Sequence, residues 1–464
     1  MVLQKKVIEY KKDVIQSIIE SVQIKSIEEP PLPGKPFGHG PAKALSYFLK
    51  LGESMGFKVK NFDNYAGHID YGNGDEIVGI LGHVDVVPEG EGWDHDPYGG
   101  DIIDGKIYGR GTTDNKGPMI TCLYAMKALK ESGIKINKKI RMILGANEET
   151  GWEGIENYFN VYKMPQPDLA FTPDADFPLI FAEKGILRLS LKKKIRGIKN
   201  ISLTGGTVVN SVPETATLKI PLMLLDSKYN IMNFHLKFNY NKNYKIDLEF
   251  SKDFLTIISH GKSCHAMSPQ DGYNAISALF CFLNKIYICD DEFKSVLRFF
   301  QERIKMEYDG TSLGVNCSDE DSGGLTLNIG TTFLEDEILN FLIDIRYPVT
   351  ISSKNISNKI TWSAKKYGID LEIIEDKKPL HVSKDSFLVT TLMNCYKDIT
   401  GDIDAIPLAT GGGTYARAVK NGVAFGALLK GQEDNMHQIN EYLEVDKIDT
   451  WLKIYAEAIY RLAK

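Results

Sequence analysis

Three apolar runs along this chain each lead, within a few residues, to a side chain that can bind a metal, a fourth precedes another such side chain, and few folds accommodate that pattern. Residues 77–87 contain Gly82-His83-Val84-Asp85-Val86-Val87-Pro88, and residues 139–145 lead to Asn147-Glu148-Glu149. Residues 169–171 lead to Thr172-Pro173-Asp174, and residues 423–428 precede Met436-His437. Between the first two runs, Gly109-Arg110-Gly111-Thr112-Thr113-Asp114-Asn115-Lys116-Gly117 opens a helical pattern over 116–132. Strands alternating with helices predict an α/β fold with a mostly parallel sheet flanked by helices. In such sheets ligands gather beyond the carboxyl ends of the strands, which is where these residues fall.

At 464 residues the chain is longer than the ~250–300 that one hydrophobic core organises, so two domains are expected. The texture changes after Glu183-Lys184-Gly185: strand-like alternation at 186–192, a segment at 203–222, then a long apolar helix at 274–288, with this character persisting to about residue 376. The remainder returns to the earlier style, with helices at 387–399 and 447–462 around Gly411-Gly412-Gly413 and His437. The predicted organisation is a discontinuous metal-binding domain at 1–183 and 384–464, interrupted by an α+β domain at 184–383. Within the insert, 202–207 with 216–221 is similar to 326–331 with 341–346, which suggests two related halves.

Composition excludes several classes. With 43% hydrophobic and 25% charged residues the chain is neither disordered nor fibrous. A net charge of -6 argues against nucleic acid as a partner, since neutralising phosphates needs a basic surface, and Lys192 to Lys194 are taken as a solvated face. No window holds ~18 consecutive apolar residues, so no membrane span is expected. The first twenty residues are expected to form an amphipathic helix and not a signal peptide. Six scattered cysteines without a CxxC pair fit free thiols in a reducing compartment, so a cytoplasmic location is expected.

The candidate ligands form a nitrogen and oxygen set suited to two divalent ions. On a strand, residues i and i+2 share a face, so His83 would bind metal with Asp85 behind it, fixing the imidazole tautomer. Asp114, in a turn opening a helix, suits a bridging anion, although N-capping is the ordinary role for such a residue. Adjacent glutamates diverge, so Glu149 is assigned to metal and Glu148 to proton transfer as general base. Singly, each residue has a plain alternative: a core histidine, a cap, exposed loop acids, a turn aspartate at 174, an uninformative His437. Jointly, five positions at strand ends point to a metal centre.

These segments, 82–88, 109–117, 147–151 and Met436-His437, resemble the dinuclear metallopeptidase family that contains aminoacylases, carboxypeptidase G and succinyl-diaminopimelate desuccinylases. Thr172-Pro173-Asp174-Ala175, Ser263-Cys264-His265-Ala266 with Pro269-Gln270-Asp271-Gly272, Asp344-Ile345-Arg346-Tyr347-Pro348, and Gly411-Gly412-Gly413-Thr414-Tyr415-Ala416-Arg417 are similar to the peptidase V-type dipeptidases. The resemblance runs nearly end to end. It implies zinc, sometimes manganese, with one ion held by His83, Asp114 and Asp174 and a second by Asp114, Glu149 and His437; the softness of an imidazole and carboxylate set also allows cobalt. It implies a non-proline cis peptide after Asp114, and it makes the insert a lid. On that lid His265 would stabilise the oxyanion while Asn210 and Arg346 grip the substrate's carboxylate; Gly413 is assigned to the substrate as well.

The expected activity is therefore metal-dependent hydrolysis of dipeptides by a catalytically complete monomer, since a lid of near two hundred residues would supply His265 in cis. An N-acyl or N-succinyl amino acid deacylase with the same chemistry is the alternative. A silent homologue that only binds a ligand is disfavoured by Glu148 beside a full ligand set. The glycine clusters at 109–111 and 411–413 lack the strand-GxGxxG-helix context of a nucleotide site.

Overall fold

The structure, a computed structural model, describes residues 2–196, 200–225, 228–239, 245–286, 288 and 290–464. It divides into two units, Met1–Phe181 with His381–Leu408 and Gly413–Lys464, and Ala182–Leu380 with Ala409–Gly412.

In the first unit, strand Ile77–His83 is buried at every position, as its Ile, Val and Leu content suits a strand covered on both faces. It pairs in parallel with Lys139–Gly145 on one side and Leu169–Thr172 on the other. Gly422–Ala424 extends the parallel run, while Ala66–Tyr71 and Lys58–Phe62 add antiparallel strands at the opposite end. The register sets His83 against Gly145, so neighbouring strands end together and their following loops share one rim. Helix Lys116–Glu131 is buried along most of its length, and the closing helix Ile448–Ala463 buries Trp451, Tyr455 and Ile459.

Two elements differ from the sequence expectation. The N-terminal amphipathic stretch is two helices, Val2–Ile8 and Lys11–Val22. The break falls at Tyr10, whose buried ring packs against Tyr124 at 5.8 Å between centroids, a tertiary contact that overrides continuous periodicity. The strand expected over 423–428 is split into Gly422–Ala424 and Ala427–Leu428, the second pairing with Ala175–Asp176. Its neighbour breaks at Pro173, which has no N–H for the ladder, so both chains step aside after Thr172 and Ala424.

The second unit carries an eight-stranded sheet in the order Lys245–Phe250, Phe254–His260, Thr215–Pro221, Ser202–Gly205, Thr326–Glu335, Ile338–Tyr347, Gly185–Lys194, Asp370–Lys377. Its pairings are antiparallel. The two hairpins whose sequences are similar meet at its centre, through Thr204 opposite Phe333 and Gly205 opposite Thr332. The helix expected over 274–288 runs Ala275–Leu283; Asn274 caps it by accepting from Ser277 N at 2.9 Å, and residue 287 lies outside the described residues. Phe280 on that helix stacks on Phe300 at 4.1 Å and meets Phe341 edge-on at 5.3 Å.

No helix among the described residues is long and apolar enough to cross a membrane. Cys122, Cys264, Cys281, Cys317 and Cys395 are unpaired thiols; Cys289 lies outside the described residues. Because Phe280 is fully buried in this aromatic cluster, Phe280→Ala is expected to cost the second unit about 3–5 kcal/mol. Chemical denaturation of the full chain, followed by near-ultraviolet circular dichroism, reads the shift in midpoint.

Candidate active site

His83 is the last residue of its strand, so its imidazole stands at the sheet's rim. Its Nδ1–H donates to the main-chain oxygen of Asp85 at 3.0 Å, which leaves Nε2 as the lone-pair nitrogen. That nitrogen faces two carboxylates, Asp114 Oδ1 at 3.0 Å and Asp174 Oδ2 at 3.6 Å. A lone pair among anions is stable only with a cation between them, either a proton or a metal. His437 repeats the arrangement, with Nε2 at 2.8 Å from Asp114 Oδ2 and 3.1 Å from Glu149 Oε2. Asp114 thus offers one oxygen to each imidazole. His83, Asp114 and Glu149 each present a ligand atom within 4.8 Å of the others.

The electrostatics say the same. Burial pushes the Glu149 carboxyl up to about 7 and Asp174 up to about 6, with the Asp114 charge adding to both. Against burial, the two imidazoles hold Asp114 well below the usual carboxylate range. His437, also against burial, is pushed up to about 12 by Asp114 and Glu149. The cluster is short of positive charge, and two divalent ions would supply it.

Asp85 does something the sequence reading did not anticipate. The strand ends at His83, so the i, i+2 geometry does not extend to Asp85, and its carboxylate stands 3.5 Å from His83 Nδ1, with the main-chain oxygen closer. Both carboxylate oxygens are used as well on the loop after Lys139–Gly145: Oδ1 accepts from Glu148 N and Oδ2 from Glu149 N, each at 3.0 Å. Asp85 therefore joins the His83 segment to both glutamates. Glu148 and Glu149 diverge as expected: Glu149 faces His437, while burial lifts the Glu148 carboxyl well above its usual range.

Asp114 does not cap the helix that follows it. Asn115 holds the N-cap position without a side-chain cap bond, and the Asp114–Asn115 peptide is cis. Three residues near Asp114 that were given no role belong to this site. Asn115 and Glu441 hold the ligand-bearing segments through hydrogen bonds. Tyr415 is fully buried with its ring 6.3 Å from the His83 ring, and a side chain at Gly145 would collide with its hydroxyl. Asn115 and Tyr415 lay within quoted motifs; Glu441, four residues past His437, carries no local signal.

In the second unit, Asn210 and His265 are neighbours on two loops knit by main-chain bonds, Ala266 N to Asn210 O and Val212 N to Cys264 O, both 2.9 Å. His265 Nδ1 accepts from Met267 N at 3.1 Å, and the residue is exposed. Arg346 is buried and forked onto Asp344, Nε to Oδ1 at 2.6 Å and Nη2 to Oδ2 at 3.1 Å, with Nη1 donating to Gly411 O at 2.7 Å. Gly411 in turn lies so close to the His265 loop that a Cβ there would stand 2.8 Å from Met267 Cβ. Gly413 belongs to the first unit, against the Arg417 side chain.

Residues 79–461 match the family described as Peptidase family M20/M25/M40. The chain belongs to that family. It is 40% identical to the putative dipeptidase YtjP of Bacillus subtilis (strain 168), over 99% of both chains. It is 34% identical to a putative dipeptidase of Staphylococcus epidermidis, again over 99% of both. Its fold is similar to human carnosine dipeptidase 1 (TM-score 0.61, 14% identity, 99% of this chain and 98% of that one). It is also similar to the di-peptidase Dug1p of Saccharomyces cerevisiae (TM-score 0.57, 16% identity, 100% and 98%).

The donors found here, imidazole nitrogens and carboxylates with one aspartate shared, fit divalent metal ions. Asp85→Asn tests the support beneath them. The amide would offer one acceptor where two N–H groups now donate, so a tenfold to hundredfold loss of metal affinity or activity is expected, in roughly the range typical of groups that orient metal ligands. Metal titration and peptide hydrolysis by the purified variant measure it.

Proposed function

We propose that this M20 peptidase hydrolyses dipeptides, using two divalent ions, zinc foremost with manganese or cobalt as substitutes. His83, Asp114 and Asp174 would hold one, and Asp114, Glu149 and His437 the other. The observation that carries this reading is the shared carboxylate of Asp114, one oxygen to each imidazole, with Glu148 on the adjoining loop. The relatives named putative dipeptidases, matching over nearly the whole chain, support the substrate class. Bound there, the metal pair would polarise the scissile carbonyl and make the attacking water easier to deprotonate.

Glu148 takes the proton of the water that adds to the carbonyl carbon. It hands that proton to the nitrogen as the C–N bond breaks, so one amino acid leaves as its amine and the other as a carboxylic acid, whose remaining water-derived proton passes to the amine or to solvent. A carboxyl whose affinity for protons is raised by burial suits a group that must hold one between two steps. His265 stabilises the oxyanion, a contribution of about 3 kcal/mol for such a donor. Asn210, Arg346 and Gly413 are assigned to the substrate, the guanidinium to its terminal carboxylate. The division of labour is a catalytic domain at 1–183 and 384–464 and a lid at 184–383 made of two related hairpin halves. Carrying both halves in one chain supports action as a monomer, and unpaired thiols support a cytoplasmic setting.

Three outcomes are expected. Chelator treatment abolishes hydrolysis of free dipeptides, zinc or manganese restores it, and N-acylated dipeptides assayed in parallel remain uncut. Glu148→Ala lowers kcat by about 10²–10⁴ while metal content, measured by mass spectrometry, stays at two ions. His265→Ala lowers kcat by about 10²–10³, and mixing it with Glu148→Ala restores nothing. Regained activity in that mixture, or an obligate dimer on a sizing column, would replace the monomer reading.

A further inference from the structure

Glu441 is completely buried, yet its carboxylate meets the chain that carries Asp114 at point after point. Its oxygens accept from Gly111 N at 3.1 Å, Thr113 N at 2.9 Å and Asp114 N at 3.2 Å, and from the Arg110 guanidinium at 2.8 Å. Glu441 lies four residues after His437. One turn of chain therefore bears both an imidazole facing Asp114 Oδ2 and the acid that grips the Asp114 backbone.

Asn115 does the corresponding work on the other side. Its Oδ1 accepts from His83 N at 3.3 Å, and its Nδ2 donates to Pro173 O at 2.7 Å. These bonds join the residue after Asp114 to His83 itself and to the residue before Asp174. Among the described residues, Glu441 forms no hydrogen bond to the His83 or Asp174 segments, and Asn115 forms none to the 437–441 turn.

We infer that Glu441 and Asn115 are separate positioning residues, each setting the span of one metal position: Glu441 the Asp114–His437 side, Asn115 the His83–Asp114–Asp174 side. The inference rests on the two-ion assignment above. Neither side chain touches an ion or substrate in this scheme; each fixes the distance between main-chain segments whose side chains do. Both ties hold the Asp114 segment, but at their far ends one reaches the 437–441 turn and the other the His83 and Asp174 segments, so cutting one loosens one span while the other still fixes Asp114 against the ligands of the second position.

Stepwise zinc affinities of the apo protein, measured by competition with a chromophoric chelator, test this without any assay of activity. Glu149→Gln and Asp174→Asn serve as references, since each removes a ligand from one position only and so labels the two binding steps. Glu441→Asp, which keeps the charge but retracts it by one methylene, is expected to weaken the step labelled by Glu149→Gln by about tenfold to a hundredfold. It should leave the step labelled by Asp174→Asn within about twofold. Asn115→Asp, which can accept from His83 N but cannot donate to Pro173 O, is expected to give the reverse pattern.

Equal weakening of both steps, no weakening, or exchange of the two patterns would overturn the inference. Should one variant lose its cooperative thermal transition, the other still decides, because each predicts a one-sided change. A wild-type protein that takes up fewer than two ions would remove the two-ion assignment itself. That failure is visible before any variant is compared.

Discussion

Asp114 has one oxygen within 3.0 Å of each of two imidazoles that are more than three hundred and fifty residues apart in sequence. Everything else in the first unit follows from keeping that carboxylate still. A side chain placed between two histidines can do so only if its backbone does not drift. Residues 109–114, two of which are glycines, have little rigidity of their own. The rigidity is imported. Glu441 gathers the N–H groups of the loop, Asn115 ties it to two strand ends, and Lys116 Nζ donates to the carbonyls of Ser21 and Ile24 at the end of helix Lys11–Val22. The N-terminal helices thus reach the active site through one buried amine.

These supports are polar and buried, which is an expensive way to build. A carboxylate removed from water costs several kcal/mol unless its lone pairs are matched. Glu441 is matched by Arg110 and three backbone amides, and Asp85 by the amides of Glu148 and Glu149. An apolar replacement would pack at less cost but could not hold an N–H in a fixed direction. The site accepts the cost because a metal ligand displaced by even a fraction of an ångström loses its place.

The sequence made the parallel strands and the residues at their ends legible, because an apolar run followed by a polar residue is a local signal. His83, Glu149 and Asp174 lie on such ends, and the register of Ile77–His83 with Lys139–Gly145 puts the first two on one rim. Asp114 and His437 lay in loops and were found through the company of motifs. What stayed hidden was non-local. Glu441 has nothing around it that distinguishes it from a surface acid; only the folded chain brings Gly111, Thr113 and Asp114 to it. Asp85 was expected behind His83, and its carboxylate stands 3.5 Å from that imidazole. Its carboxylate also holds the amides of Glu148 and Glu149, a second role that depends on the folded loop and that no local pattern reports. The break at Tyr10 and the split near Ala424 were likewise set by packing and by Pro173 in a neighbouring strand, which no periodicity reports.

Arg346 in the second unit shows how far such a chain of support can limit a residue's freedom. A guanidinium has five N–H donors. Three are engaged, two on Asp344 and one on Gly411 O, so a substrate carboxylate could be met only by those that remain on Nη1 and Nη2. Asp344 is itself shared, for Arg188 Nε donates to its Oδ2 at 3.2 Å. The result is a fork whose plane is fixed before any ligand arrives, with its outer edge uncommitted to Asp344. That is the arrangement in which arginine loses least entropy on binding a second carboxylate, and a lysine at 346, with one rotating ammonium, could not hold Asp344 and Gly411 and still present a planar pair.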